Sequence, residues 1–270
     1  MSPIQVAVHG ALGSMGQIVL QGLAQDPELQ VVGAVDIKAA ADSAAVPGTS
    51  RSVPLSSDVP ALLKRCRPSV LVDFSVAEAT LMAARAASAG GVNLVIGTTG
   101  LSPAHVQEIG DMCRAAGVGA VVAPNFSLGA VLLMHLARLA APYFDYAEIA
   151  EMHHEKKIDA PSGTALATAK DMVEARGRPF SHTPAQKEPL AGTRGGQFQG
   201  IAIHSMRMPG FLAHQEVILG GQGQTLSLRH DTIGRDCYLP GIILAVKHVV
   251  KAPGLTYGLE AILGLSKGPR

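Results

Sequence analysis

The stretch Ile4-Gln-Val-Ala-Val-His-Gly-Ala-Leu-Gly-Ser-Met-Gly16 decides the fold of the first half of the chain. Its start, Ile4–Val8, has the apolar composition of a buried strand, and a helical pattern from Gln17 to Ala24 follows the glycines. A strand, a glycine turn and a helix start in this order are typical of a dinucleotide-binding unit. We therefore predict a Rossmann-type fold at this end of the chain.

The spacing of the turn is G-x-x-G-x-x-G, because Leu12 stands where the common fingerprint has glycine. Gly13 would let a pyrophosphate approach the backbone, and Gly16 would let helix and strand pack closely. Glycine spacing alone is weakly specific. The prediction is strengthened by Asp36, which ends the next apolar run 20 residues beyond Gly16, since a carboxylate there can accept the ribose hydroxyls of a dinucleotide.

The first half of the chain alternates strand and helix patterns, which predicts a parallel sheet with right-handed crossovers. The predicted strands are Ile4–Val8, Val31–Asp36, Val70–Phe74, Leu94–Ile96 and Ala120–Ala123. The predicted helices are Gly16–Ala24, Ala77–Ala89 and Pro103–Ala116.

Polar turn residues follow three of these strands, at Asp73–Ser75, Gly97–Gly100 and Pro124–Ser127. Ligands of open parallel sheets bind beyond the carboxyl ends of the strands. Each loop by itself is also compatible with an ordinary strand-to-helix connection. Together with the glycine turn, the three loops indicate the rim of a cofactor site.

The pattern changes after residue 125, where helix and strand signals no longer alternate regularly. We predict an α+β unit with a mixed sheet over residues 126–235, and assign residues 1–125 and 236–270 to the dinucleotide-binding unit. The predicted elements of the α+β unit are a helix at Leu128–Ala141, a strand at Ala147–Met152, a helix over 164–175, a loop at Gly177–Gly200, and strands at Gly200–Met208, Leu212–Leu219 and Thr225–His230. A helix over Asp236–Val250 follows, in the dinucleotide-binding unit.

Composition excludes several functional classes. The chain has 270 residues, 47% of them hydrophobic but only 4% aromatic, and a formal net charge of +1. Such a balance gives no electrostatic basis for binding nucleic acid or a membrane surface. Three widely spaced cysteines and the lack of a signal-peptide pattern lead us to expect a cytoplasmic protein.

The stretch Glu151-Met-His-His-Glu-Lys-Lys-Ile-Asp-Ala-Pro-Ser-Gly-Thr-Ala165 carries the chemistry. Imidazoles pass protons near neutral pH, lysines attract anions, and free N–H groups at a helix start bind carboxylate or phosphate. The pattern predicts a pocket for a small anionic molecule with a proton donor beside it. A pair of packing or surface histidines is the plainer interpretation. A zinc site or a serine nucleophile at Ser162 lacks the required spacing.

The whole chain resembles the 4-hydroxy-tetrahydrodipicolinate reductase (dihydrodipicolinate reductase) family of lysine and diaminopimelate synthesis. The resemblance rests on the glycine turn and on four further segments. These are Gly97–Gly100, Ala123–Ser127, Glu151–His154 with Lys157, and Asp159–Ala165. His204–Arg207 and His214–Val217 also match the family, but the sequence assigns no role to His204, Arg207, His214 or Arg235. The string from the two histidines to Thr164 is highly specific.

The resemblance implies reduction of a cyclic imine with NAD(P)H. His153 would be the proton donor, and Lys157 would interact with the ring nitrogen and assist proton transfer. His154, Ser162, Gly163 and Thr164 would bind the two substrate carboxylates. The residues that would hold the cofactor are Gly10, Ala11, Leu12, Gly13, Ser14, Met15, Asp36, Gly97, Thr98, Thr99, Ala123, Pro124, Asn125 and Phe126. No metal is implied, and the resemblance implies a homotetramer.

One position departs from the family pattern. Members that use the phosphorylated cofactor well often carry arginine directly after the ribose carboxylate, where this chain has Ile37, and the nearest cation is Lys38. We therefore expect NADH to be preferred, with some use of NADPH. Two alternatives stay open at this point: another two-domain NAD(P)-dependent dehydrogenase, and a non-catalytic dinucleotide-binding regulator.

Overall fold

A computed structural model describes residues 2–265 of the chain. The chain divides into two compact units. One comprises the residues up to Leu128 together with those from Arg235 onward, and the other is Gly129–Gly234.

The helices and strands are named in chain order. They are β1 Ile4–His9, α1 Ser14–Gln25, β2 Leu29–Val35, β3 Ser43–Ala45, β4 Ser52–Ser56, α2 Val59–Cys66, β5 Val70–Asp73, α3 Ala77–Ala89, β6 Asn93–Ile96, α4 Pro103–Ala116, β7 Gly119–Val122, α5 Leu128–Ala140, β8 Tyr146–His153, α6 Gly163–Arg176, β9 Gly196–Phe198, β10 Ile201–Arg207, β11 Ala213–Gly221, β12 Gln224–Thr232, α7 Leu239–Val249, β13 Gly254–Tyr257 and α8 Leu259–Ile262.

Within residues 2–265, the first unit holds an eight-stranded sheet in the order β13-β7-β6-β5-β1-β2-β4-β3. Every pairing is parallel except that of β3 with β4. All residues of β5 and β7 are buried, as expected for parallel strands covered on both faces. The predicted Rossmann-type parallel sheet is confirmed.

The register of this sheet aligns the carboxyl ends of its central strands. His9 pairs with Val35 on one side and with Asp73 on the other, and the same line continues through Ile96 to Val122. The chain moves outward in opposite directions from β1 and β5, so these two strands form the topological switch point where ligands of such sheets bind. The glycine turn and the rim loops therefore leave one edge of the sheet.

In the described part of the second unit, five strands form a sheet in the order β12-β11-β8-β10-β9. Strand β8 is parallel to β10 and antiparallel to β11, so the predicted mixed sheet is confirmed. Helix α6 contributes Ala169 and Met172 to a core that includes Ile149 and Leu219 of the sheet. Because side chains alternate along a strand, the face of β8 that carries Ile149 also carries Glu151 and His153.

Some elements were not predicted, and one prediction was wrong. The segment Gly177–Gly200 was predicted as a loop, yet it contains β9, which pairs antiparallel with β10. A three-residue strand starting with glycine carries no apolar alternation, so only its partner strand defines it. Strands β3, β4 and β13 and helices α2 and α8 were also missed. The tail helix starts at Leu239, after a 3₁₀ turn at Arg235–Tyr238.

Candidate active site

The glycine turn between β1 and α1 is closely packed. Gly10 has a φ of +76°, and a Cβ there would lie 2.7 Å from the carbonyl oxygen of Phe74. A Cβ at Gly16 would lie 2.1 Å from the carbonyl oxygen of Gly10. The backbone N–H groups of Gly10 and Ala11 both donate to the carbonyl of Val35. Glycine is therefore required at positions 10 and 16 by the packing of the turn itself, and not only by the approach of a ligand.

Asp36 follows β2 directly, beside this turn, and is almost fully buried. Its Oδ2 accepts a hydrogen bond from the backbone N–H of Leu12 at 2.9 Å, and its Oδ1 accepts one from that of Lys38 at 2.9 Å. Ile37, by contrast, is 89% exposed. A carboxylate has about four acceptor sites, so each oxygen retains acceptor capacity for a ribose hydroxyl.

The loops after β6 and β7 differ in which side chains they expose. Thr98 is buried, and within the described residues its Oγ1 has no hydrogen-bond partner, while Thr99 is exposed. Phe126 is 2% exposed and packs on Phe74 with ring centroids 5.9 Å apart. Ala123 is also buried, whereas Pro124 is exposed and Asn125 is half-buried. The segment 123–126 therefore presents Pro124 and Asn125 rather than the Phe126 ring.

These features fit a bound dinucleotide. A Cβ at Gly13 would lie 3.2 Å from the carbonyl oxygen of Gly10, so any larger residue would crowd the turn that a pyrophosphate approaches. The start of α1 offers unpaired N–H groups to an anion. Arg235 adds a cation there, because its Nη1 donates to Ser14 Oγ at 2.9 Å. The buried hydroxyl of Thr98 is a further group that a ligand would satisfy.

In the second unit, Ser162 is the N-cap of α6. Its Oγ accepts a hydrogen bond from the backbone N–H of Ala165 at 3.2 Å, a common way to satisfy the first turn of a helix. Ser162 is 3% exposed, whereas Gly163 is exposed, and a Cβ at Gly163 would meet nothing within 4 Å. Open space therefore lies in front of the first residue of the helix, where an anion would bind.

His153 is held by the buried carboxylate of Glu151, for which the sequence predicted no role. His153 Nδ1 lies 2.6 Å from Oε2 of Glu151, and the backbone N–H of Ser162 donates to Oε1 at 3.1 Å. The guanidinium of Arg207 donates to both oxygens, at 2.9 and 2.7 Å. Glu151 is fully buried. One carboxylate thus joins the imidazole to the start of α6.

Burial alone would raise the pKa of the Glu151 carboxyl. The hydrogen bonds from His153, Arg207 and Ser205, with the positive charge of Arg207, outweigh burial and lower that pKa to about 2. The carboxyl is therefore an anion throughout the physiological pH range, and it faces the imidazole as a fixed negative charge.

Lys157 lies in the turn after β8, in which its backbone N–H donates to the carbonyl of His154. Its Nζ donates to Oδ1 of Asp159 at 2.7 Å. This contact lowers the pKa of the Asp159 carboxyl, and the backbone N–H of Gly163 lowers it further. Asp159 therefore accepts hydrogen bonds from the ammonium of Lys157 and from the N–H of Gly163, the two groups that an anionic ligand would need.

The second unit thus brings together His153, Lys157, Ser162, Gly163 and Thr164, with His154 adjacent to the proton-donor candidate. The signal for Glu151 was present in the sequence, since residues two apart on a strand share a face. No local signal pointed to Arg207, which lies 56 positions from Glu151 and reaches it only through the pairing of β10 with β8.

Two further tests of the described residues, 2–265, concern metals and membranes. No group of three or more His, Cys, Asp or Glu side chains there is arranged to hold a metal ion. None of the helices in the same range combines the length and the apolar character that crossing a bilayer requires.

The fold and the two sites define a class, the two-domain NAD(P)-dependent oxidoreductases. Solved structures with low identity share the fold alone, among them an amine dehydrogenase from Mycobacterium smegmatis, with 16% identity and a TM-score of 0.65. Residues 4–126 match the family described as dihydrodipicolinate reductase, N-terminus, and residues 129–263 match dihydrodipicolinate reductase, C-terminus. The chain belongs to the dihydrodipicolinate reductase family and is an oxidoreductase of lysine and diaminopimelate biosynthesis.

Relatives that match over nearly their whole length support the same family. The 4-hydroxy-tetrahydrodipicolinate reductase of Dehalococcoides mccartyi strain BAV1 is 50% identical over 98% of this chain and 100% of its own length. That of Moorella thermoacetica is 50% identical over 97% of this chain and 99% of its own length. A dipicolinate-bound dihydrodipicolinate reductase from Paenisporosarcina sp. TG-14 has 37% identity and a TM-score of 0.86, covering 96% of this chain and 99% of that one.

Proposed function

We propose that the second-unit site carries out the family's reaction, the NAD(P)H-dependent reduction of 4-hydroxy-tetrahydrodipicolinate to tetrahydrodipicolinate, with His153 as the proton donor. The observation that carries this assignment is the shared contact of Glu151 with His153 Nδ1 and with the Ser162 N–H at the start of α6. The imidazole and the anion-binding turn are thereby held in a fixed relation, as a donor and a binding site for one substrate must be.

The chemistry requires a positioned acid. After loss of water from the 4-hydroxy substrate, reduction adds one hydride and one proton across a conjugated imine. The bound nicotinamide cofactor supplies the hydride. The electron pair displaced toward the ring must be captured by a proton, and His153 delivers that proton from Nε2 while Nδ1 stays on Glu151. Lys157 interacts with the ring nitrogen and assists the proton transfer.

The two substrate carboxylates need cationic and N–H partners. We assign them to the backbone N–H groups of Gly163 and Thr164, to the hydroxyl groups of Ser162 and Thr164, and to His154. Support comes from the open space in front of Gly163 and from the N–H groups that the first turn of a helix leaves unpaired. As the substrate carboxylate arrives, it takes over the contacts that Asp159 makes with Lys157 and Gly163.

For the cofactor we propose a preference for NADH with some use of NADPH. The glycine turn, Ser14, Asp36, the segment Gly97–Thr99 and the segment Ala123–Phe126 would contact it. Asp36 accepts the ribose hydroxyls of NADH, whereas a 2′-phosphate brings negative charge toward the same carboxylate. Lys38 offsets part of that repulsion because its ammonium is flexible.

We further propose a homotetramer that works in the cytoplasm and assembles through the second-unit sheet. Tyr146, Met206 and Ile218 are exposed large apolar side chains on neighbouring strands of that sheet. They share the face opposite to Ile149, because side chains alternate along each strand. An apolar face of this kind favours burial against another subunit.

A coupled assay tests the reaction. Freshly formed imine is supplied with NADH or NADPH, and cofactor oxidation is followed. Turnover with NADH is expected, and absence of turnover with either cofactor, in protein that binds NADH, would refute the assignment. Binding of pyridine-2,6-dicarboxylate separates an enzyme from a dinucleotide-binding regulator, which has no use for the anion turn.

A further inference from the structure

Glu151 and its partners form a small buried network in the second unit. Its carboxylate receives hydrogen bonds from His153 Nδ1, from two nitrogens of Arg207 and from the backbone N–H of Ser162. The side chain of Ser205 is a further donor to it. Arg207 Nη2 also donates to the carbonyl oxygen of Asp159 at 2.8 Å. Asp159 is the partner of Lys157. The network therefore reaches the donor histidine, the helix start and the residue that pairs with the lysine.

We propose that Glu151 is a positioning residue for the reaction, acting through His153. This inference rests on the proposed role of His153 as proton donor. Glu151 keeps a proton on Nδ1 and stabilises the imidazolium, so that Nε2 is the atom that gives up a proton to the substrate. The Ser162 N–H on its second oxygen sets where the anion turn lies relative to the imidazole. The role parallels that of the carboxylate in other acid–base pairs built on histidine.

The charge environment supports this role. On its own strand His153 faces Glu151, and on β10 it faces Arg207. The charged residues of the turn that follows are Glu155, Lys156, Lys157 and Asp159. Strand β11 places Ala213 opposite His153 and Gln215 opposite Glu151, and neither titrates. Glu151 is thus the carboxylate in contact with the ring, and Arg207 is the cation that shares this carboxylate with it.

A simpler possibility is that Glu151 only stabilises the fold through its ion pair with Arg207. The two roles differ in one measurable property. A structural carboxylate affects the amount of folded enzyme, while a positioning carboxylate sets the pH at which the donor loses its proton. The pH profile of kcat therefore separates them.

The chain supplies a matched control for this test. Glu148 also accepts hydrogen bonds from a histidine and an arginine, His204 at 2.9 Å and Arg194 at 2.8 Å. It lies three residues away on the same strand, with its side chain on the opposite face of the sheet. Glu148→Gln therefore removes a comparable charge from the same strand without touching His153.

The experiment compares Glu151→Gln, Glu148→Gln and His153→Ala in the full-length enzyme. We expect Glu151→Gln to lower kcat about tenfold or more and to move the alkaline limb of the pH profile of kcat to lower pH. NADH binding should stay within about twofold of wild type, as should the kcat of Glu148→Gln. A lowered kcat with an unmoved alkaline limb would overturn the positioning role.

A second measurement does not require Glu151→Gln to fold. In wild-type enzyme labelled with ¹⁵N-histidine, the signals of His153 are assigned by their loss in His153→Ala. We expect the neutral ring to carry its proton on Nδ1, and the Nε2–H tautomer would refute the proposal. Full turnover in His153→Ala would instead refute the proposed function, so the two failures are distinguishable.

Discussion

The backbone N–H of Leu12 donates a hydrogen bond of 2.9 Å to Oδ2 of Asp36. Leu12 stands at the position where the common dinucleotide fingerprint has glycine. The contact joins the glycine turn to the carboxylate that would meet the ribose, although 24 positions separate the two residues. Asp36 therefore shapes the turn, and in the proposed function the same carboxylate also accepts hydrogen bonds from the cofactor.

The first prediction concerns cofactor choice. Asp36→Ala should bring the kcat/KM values for NADH and NADPH closer together, because it removes the ribose acceptor and also the charge that repels a 2′-phosphate. A tenfold preference corresponds to only about 1.4 kcal/mol, so one side chain is sufficient to set it. The measurement is kcat/KM with each cofactor.

Asp36→Asn is the matched variant for this prediction, since it removes the charge but keeps a carbonyl oxygen as acceptor. Asp36→Asn should raise kcat/KM for NADPH, and it should lower kcat/KM for NADH less than Asp36→Ala does. If wild type favours NADPH, or if Asp36→Ala leaves the ratio unchanged, then Lys38 or a more distant cation decides the choice.

The second prediction concerns proton transfer. His153→Ala and Lys157→Ala should lower turnover by ~10²–10⁴-fold while NADH binding survives, because a positioned acid contributes about that much. Stopped-flow turnover and NADH titration are the measurements. His204→Ala is the control, because His204 pairs with Glu148 rather than Glu151. Near wild-type turnover in both test variants would remove these residues from the mechanism.

The third prediction concerns the anion turn. Thr164→Val and Gly163→Pro should raise KM for the imine more than for NADH. Proline is tolerated at the first position of a helix but removes the N–H that would face a carboxylate. Gly163→Ala keeps that N–H and adds a Cβ into open space, so it is the control. An effect confined to KM for NADH would mean that the turn binds the other ligand.

The fourth prediction concerns assembly. We expect a stable tetramer at micromolar concentration, measured by light scattering. Ile218→Asp should weaken it, because a charge would replace an apolar side chain on the exposed sheet face. Gln224→Asp adds a charge at the exposed hairpin end of β12 on the other face of the sheet, so it serves as the control. A wild-type monomer at this concentration would refute the proposed assembly.

The fifth prediction concerns acid stability. The pKa of the Glu151 carboxyl is about 2 in the folded chain, against an ordinary value of 4.5. Folding therefore favours the ionised form, and this contribution is present above pH 4.5 and is lost as the pH falls through about 2. The difference in unfolding midpoint between wild type and Glu151→Gln should shrink over that range. A constant difference in urea unfolding from pH 6 to pH 3 would contradict it.

Much of the fold was determined by sequence alone. The strand, the glycine turn and the helix at residues 4–24, and the carboxylate at position 36, are recognised from residue types and spacings within short segments of the sequence. The same holds for the cap at Ser162, whose hydroxyl needs only the backbone three residues ahead. The family of the chain followed from such local strings.

Only the tertiary structure decided which distant groups share a site. Arg207 reaches Glu151 because β10 lies parallel beside β8 in a register that pairs it with His153, and no local pattern encodes that register. The alignment of His9, Asp73, Ile96 and Val122 along one edge likewise arises from strand pairing. Register is set by the packing of a whole sheet on its core, so a buried carboxylate acquires its partners only once the chain has folded.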